Sequence, residues 1–495
     1  MKTNILKAII ASVVAVGCSD DFLEVDPTSQ EFASTYFTTD EHIQEAVIAA
    51  YDPLHWTDWG MGQYNPINLM SDIMADQIWV GGANVTDNAA WHLMMNYEAL
   101  PTNCISGIWT EAYSGIKRCN DVLSYVDAAE ENLSEDAAKY YRAQARVLRV
   151  NYYNWLWKFW GNVPYYEQNL NAEPYIAEQL SANEVYNNMV ADLEAAIAID
   201  ALPMKAATSD YGRVTKAMAY MLYAEIVMYQ NDASRKAKAL QYMEEIIESG
   251  EYELVDDYAS IFPESGEWSS ESIWEINYKD DAAVRSWSSP LTAGGTVIPR
   301  LISPSNFKGT GYDGGWGFCP VRQETYDMYA ANDARRDATC FNAKDAGTYD
   351  ARYQDTGFFL EKYVAHSGDN ADQKADADLN YNNNLRIYRY AETLLNAAEL
   401  GSSNAKKYLN MVHNRAGLTD EVEPTAENIL KERALEFVGE GKRYWDLIRT
   451  GNAATVLVPD AYGYRTNAWK ESKKYLPIPQ SEIDAAQNTL TQNNY

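Results

Sequence analysis

Residues 134–161 read "SEDAAKYYRAQARVLRVNYYNWLWKFWG". Leu148, Tyr152, Trp155 and Phe159 recur at steps of four, three and four, the spacing of one helical face. Ser134 is placed to cap the start, Gly161 to end the helix, and Pro164 to keep it from resuming. Eight of the sixteen residues 151–166 are aromatic. A helix this long and aromatic needs neighbours to cover it. The spacing therefore predicts a core helix ending at Gly161, with Tyr165 and Tyr166 on the exit segment, and argues against an open stacking platform there.

The rest of the 495 residues supplies those neighbours. Helical spacing recurs in "TTDEHIQEAVIAAYDPL", in "SGIWTEAYSGIKRCNDVLSYVDA", and over 183–200, 213–230 and 234–249. It returns in "LRIYRYAETLLNAAEL", "SSNAKKYLNMVHNRAG" and "AENILKERALEFVGEGKRYWDLIRTG". Small residues stand where paired helices must approach closely: Ala217, Ala219, Ala224, Ala391, Ala397 and Ala398. Helix pairs of this kind have tetratricopeptide geometry, here degenerate and scattered. The fold class is mostly α, a tetratricopeptide-like helical-repeat scaffold. Residues 38–261 form its N-terminal helical part and 385–495 its C-terminal part. Between them, 262–384 is rich in Gly, Ser, Pro, Asp and Asn, with short strand-like pieces such as "SIWEINY" and "FFLEKYV". It is expected to be an irregular, loop-rich insertion on one face.

Charge narrows the function. Seventy-one acidic against 40 basic side chains give a net −31, with no basic stripe, which excludes nucleic acid and opposes a bare anionic membrane surface. The start, "MKTNILKAIIASVVAVGC", has a basic n-region and an apolar run too short to span a bilayer. It resembles a bacterial lipoprotein signal, with residues 1–17 removed, Cys18 lipidated and 18–37 serving as a tether. Ala15 stands where such signals usually carry leucine. Removal of 1–17 takes away Lys2 and Lys7 and moves the charge from −31 to −33. The remaining Cys104, Cys119, Cys319 and Cys340 have no framework spacing and are expected to be free buried thiols.

Catalytic and metal signals are weak. The five histidines are scattered without an H-E-x-x-H, so no metal site is expected. "GTGYDGG" at 309–315 lacks a surrounding βαβ unit. "DADLN" at 376–380 opens like a calcium loop, but Tyr381 and Ile387 replace the required Gly and Glu. That leaves a weak surface calcium site at most, and no cofactor. Glu432, Glu436 and Glu440 recur at i, i+4, a row expected to be solvated or ion-paired rather than catalytic.

"LRIYRYAETLLNAAEL", "YLNMVHNRAGL", "ILKERALEFVGEGKRYWDLIRTG" and the closing "KYLPIPQSEIDAAQNTLTQNNY" together resemble the SusD/RagB family, surface lipoproteins of Bacteroidetes that bind nutrients for outer-membrane uptake. "CSDDFLEVDPTSQ", "FTTDEHIQEAVIAAY" and "RAQARVLRVNYYNWLWKFWGNVPYY" match as well, so the resemblance runs along nearly the whole chain. It implies a compact helical fold with four tetratricopeptide-like units and a variable ligand face. It also implies an outer-membrane, surface-exposed location through the lipid anchor, and pairing with a SusC-like TonB-dependent transporter over which the protein acts as a lid.

A glycan ligand needs flat aromatic faces for its C–H surfaces and polar side chains for its hydroxyls. Two loop segments offer both. Residues 76–96 carry Trp79 and Trp91 beside Asn84, Asp87 and Asn88. Residues 284–318 carry Trp287, Tyr312 and Trp316 among glycines, with Arg300 and Asp313 near. The expected glycan-binding residues are Trp79, Asn84, Asp87, Trp91, Trp287, Arg300, Tyr312 and Trp316. Three rivals remain: an oligopeptide binder resembling RagB, an enzyme acting on the same glycan, and an adaptor for protein partners. The paired loop tryptophans favour the glycan, and the chain is read as a binder and not an enzyme.

Overall fold

The computed structural model describes residues 33–280, 285–370 and 376–495. The signal segment, Cys18 and most of the expected tether lie outside the described residues. The last tether residues, Ala33–Tyr36, form one helical turn.

The aromatic helix forms as its spacing predicts. It runs Glu135–Trp160 (α3), with Ser134 accepting from the Ala137 amide and Gly161 closing it at φ 69°. A side chain at Gly161 would meet the Tyr475 ring at 2.7 Å, so glycine is required there twice over. The sequence shows one apolar face, but α3 is buried on nearly all sides, Leu148 to Trp157 without a break. Its polar tips find backbone partners. Tyr152 donates to Ala50, Tyr153 to Tyr166, Trp157 to Ala182 and Trp160 to Pro477, at 2.8–3.2 Å.

Helices surround it in pairs. Asp40–Tyr51 (α1) packs on Gly107–Ala128 (α2), α2 on α3, and α3 on Ala182–Ala198 (α4). Lys216–Gln230 (α5) pairs with Lys236–Ser249 (α6), and Tyr390–Glu399 (α7) with Ala405–Arg415 (α8). Gly115 of α2 sits against the Tyr152 ring, where an added Cβ would approach within 2.3 Å. Ala217, Ala219, Ala224, Ala391 and Ala397 are fully buried at such approaches. No helix among the described residues is long and apolar enough to cross a membrane. The four cysteines are buried and free.

Two expected helices are broken. "LRIYR" opens as a strand, Leu385–Arg389, antiparallel to Ser272–Ile276, and α7 begins only at Tyr390. Its alternating side chains suit a ribbon, and this pair closes the base of the loop-rich segment. The 426–451 stretch splits into Ala426–Glu436 (α9) and Arg443–Arg449 (α10). Glu432, Glu436 and Glu440 are buried and ion-paired. Arg335 meets Glu432 at 2.6 Å, Arg415 meets Glu436 at 2.5 Å, and Lys362 and Arg389 meet Glu440 at 2.7 and 2.8 Å. The cations come from the loop-rich segment, from the strand before α7 and from α8. The network therefore ties distant parts of the chain together. Within 262–384, two further antiparallel ribbons form, Ser305–Gly309 with Gly347–Asp350 and Cys340–Asn342 with Phe358–Leu360.

Candidate functional site

Four half-open aromatic rings gather where the loop-rich segment meets the N-terminal helices. Trp59 and Tyr64 flank the tight turn that follows the 3-10 segment Asp52–Asp58. Trp287 and Trp316 come from the loop-rich segment. Ring centroids lie 4.4 Å apart for Trp59 and Tyr64, 5.5 Å for Trp59 and Trp287, 5.7 Å for Tyr64 and Trp316, and 6.2 Å for Trp287 and Trp316. The last pair is near parallel at 29°, whereas Trp287 meets Trp59 at 74°. Trp287 keeps 38 % of its surface in solvent.

Buried polar groups fix these rings. Arg285 and Asp58 are fully buried and bidentate at 2.7 and 2.8 Å. Arg285 also donates to the carbonyls of Trp59, Pro290 and Gly295. Asp58 accepts from Thr296 Oγ1 and from the amides of Trp59 and Val297. Burial alone would push Asp58 up; the Arg285 guanidinium and these donors outweigh it and hold the carboxyl below its usual range. One ion pair therefore sets the backbone of both Trp59 and the Trp287 loop. "DADLN" completes the support. Asp376 accepts from the Trp287 amide at 2.8 Å, Asp378 pairs with Arg300 Nε at 3.0 Å, and Asn380 donates to the Arg285 carbonyl at 3.0 Å. The groups that raised a calcium possibility are thus engaged in holding the aromatic loop, and no metal-binding group of three or more residues occurs among the described residues.

Arg300, Asp378 and Asp87 form the polar rim. Arg300 and Asp378 are each about a third exposed, and the Trp316 amide donates to the Arg300 carbonyl at 2.9 Å. Asp87 accepts from the Ala83 amide at 2.8 Å and lies 3.5 Å from Arg352, while Asn84 is exposed and caps the Thr86 turn. Burial, then Asp378, Asp87 and Asp58, push the Tyr64 phenol up to about 12, so it stays a neutral donor and acceptor.

Three expected residues stand elsewhere. Trp79 and Trp91 are each only 2 % exposed, so neither offers an open ring. Their segment is not an open loop: Ile78 and Gly81 bridge to Val321 and Phe318, and Ala89–Met95 is helical. Arg322 covers the Trp79 face at 3.5 Å. Trp91 works from beneath, donating through Nε1 to the Tyr64 carbonyl at 3.1 Å. Tyr312 leaves the cluster too, because its ring stacks on Phe341 at 4.3 Å and its hydroxyl bonds Glu361 at 3.1 Å. Sequence reasoning missed Trp59 and Tyr64, yet "DWGMGQY" at 58–64 carries the same signal of aromatics among glycines that drew attention to 284–318.

The SusD family model matches residues 335–495, and a second model, described as starch-binding and associating with the outer membrane, matches 21–228. A solved structure of surface glycan-binding protein A from Bacteroides thetaiotaomicron is 64% identical, covers 93% of this chain and 100% of its own, and superposes with a TM-score of 0.90. The same protein in complex with laminarihexaose gives 64% identity, 92% and 100% coverage, and a TM-score of 0.89. Surface glycan-binding protein A from Bacteroides uniformis is 51% identical over 92% of this chain and 100% of that one, with a TM-score of 0.85. SusD-like protein P25 of Formosa agariphila is 24% identical over 99% of both chains. On these similarities along almost its whole length, the chain belongs to the SusD/RagB family.

Proposed function

We propose that this protein is a cell-surface binder of a laminarin-type glucan and passes it to a SusC-like TonB-dependent transporter. The observation that carries the reading is the cluster of Trp59, Tyr64, Trp287 and Trp316, whose rings stay half open because buried groups hold them from behind. The relative that binds laminarihexaose supports the ligand class. The turning of ring planes from 29° to 74° suits a chain that curves better than a flat ribbon. Each stacked ring, covering ~100 Å² at ~25 cal/mol/Å², contributes about 2–3 kcal/mol. Two such rings give about 5 kcal/mol against at least ~4 for association, so hydrogen bonds from Arg300, Asp378 and Asp87 bring Kd to the ~µM–mM range. Such affinity serves a protein tethered through Cys18 beside its transporter, where effective concentration does the rest. The role is binding and not catalysis: Glu432, Glu436 and Glu440, the carboxylates with the most enzyme-like spacing, are consumed in ion pairs.

Affinity electrophoresis in laminarin-containing gels tests this. A Trp287→Ala, Trp316→Ala variant should lose the retardation of the wild type while its Tm stays put. Unchanged retardation removes the site assignment. Binding of oligopeptides without glycans would favour the RagB-like alternative.

A further inference from the structure

Trp79 is buried, but what buries it is an exposed aromatic surface. Tyr462 and Tyr464 lie over it edge-on, at 6.0 and 5.2 Å between centroids. Their own rings are nearly parallel, 5.9 Å apart at 19°, and Tyr353 meets Tyr464 at 5.3 Å. Tyr462 is 54 % exposed, while Tyr353 and Tyr464 are half-buried. An exposed tyrosine pair on a loose loop would mean little, but this loop is anchored. The Asp460 carboxylate accepts from the amides of Tyr462, at 2.7 Å, of Tyr464, at 3.2 Å, and of Arg465. Arg465 is 1 % exposed and donates to the carbonyls of Met95, Met74 and Ala75 at 2.6–3.1 Å. Asp460 and Arg465 thus hold two tyrosine faces in fixed, parallel orientation at the surface.

This patch is joined to the aromatic site. Arg352 donates to the Trp316 carbonyl at 2.8 Å and lies 3.5 Å from Asp87, and both side chains are part-exposed. The next residue, Tyr353, donates its amide to Gly82 at 3.0 Å and turns its ring toward Tyr464. The surface therefore runs from Trp287 and Trp316, across the part-exposed pair Arg352 and Asp87, to the tyrosines. The charges acting on Tyr462 are carboxylates, Glu324, Asp460 and Asp327, which repel an anionic ligand and accept from hydroxyls. A neutral, polyhydroxylated chain fits these demands.

We infer that Tyr353, Tyr462 and Tyr464 form a second platform that holds a further stretch of the same glucan chain bound at the aromatic cluster. The inference rests on the glucan-binding reading above. A second weak contact on one polymer multiplies affinity for long chains and leaves short ones unaffected.

Isothermal titration of wild type, Tyr462→Ala, Tyr462→Ala/Tyr464→Leu and Trp287→Ala with laminaritriose and with laminarin separates the two ideas. Leucine at 464 keeps Trp79 covered, so no new ring face is opened. The tyrosine variants should bind laminaritriose as wild type does and lose about fivefold or more in laminarin affinity. Trp287→Ala should weaken both. Laminarin affinity unchanged in the tyrosine double variant, with Trp287→Ala still weak, overturns the second platform and leaves the main site standing. Wild-type affinity for both probes in Trp287→Ala overturns the main site itself.

Discussion

Removing the Asp58 carboxylate would leave the Arg285 guanidinium buried with only carbonyl partners. Asp58→Asn is therefore expected to cost about 3–5 kcal/mol in urea denaturation, and to lower glucan affinity because the backbone of Trp59 and the Trp287 loop loses its common anchor. The tryptophans divide in the same physical way. Trp91 is packed on Phe318 and hydrogen-bonded under Tyr64, so Trp91→Ala should destabilise by about 3–5 kcal/mol in the same measurement. Trp287 covers little core, and Trp287→Ala should stay within ~0.5 kcal/mol of wild type while glucan binding falls. The residues before Trp91, "TDNAA", are as small and polar as those around Trp287, but Leu93, Met94 and Met95 follow it and set it on a short buried helix. Phe318 and the Tyr64 carbonyl, brought in by the fold, then cover its ring.

At the scale of elements, the helices were legible because each announces itself locally. Ser134 and Gly161 bound α3, and Ser181 with Glu184 forms a full capping box on α4. Ser134→Ala should lower stability by about 1 kcal/mol, read as a shift in thermal midpoint. Two breaks were not legible. Leu385–Arg389 has enough apolar residues to continue the α7 pattern backward, and it becomes a strand because Ser272–Ile276 offers it a ladder. The segment 376–380 looked like part of a cation loop, whereas its side chains are spent on Trp287, Arg300 and Arg285. Asp376→Ala should free the Trp287 amide and weaken glucan binding in gel retardation with little change in Tm; an unaltered retardation would show that the strut is dispensable.

Across the whole molecule, buried ionisable groups set the pH range of stability. Burial alone would raise Asp446, but Arg433 and Arg449 outweigh it and hold the carboxyl at about 2, below its ordinary 3.8. Its stabilisation is present above 3.8 and lost as pH falls toward 2. Glu111 acts in the opposite sense. It lies fully buried beneath Gly60, with no hydrogen-bond partner among the described residues, and burial pushes it from 4.5 up to about 8. Its folded form keeps a proton that the unfolded chain releases, so stability is full below 4.5 and declines as pH rises to about 8. Glu111→Gln should flatten the thermal midpoint between pH 4.5 and 8 relative to wild type; parallel curves for the two proteins would rule out this role. The sequence by itself determined the helical scaffold, the close approaches at alanine and glycine, and the family, because periodicity, caps and residue size act over a few neighbouring residues. Which aromatic rings remain open was decided only by the tertiary structure. Openness depends on partners such as Arg322, Phe318 and the Asp58–Arg285 pair, which reach each ring from far along the chain.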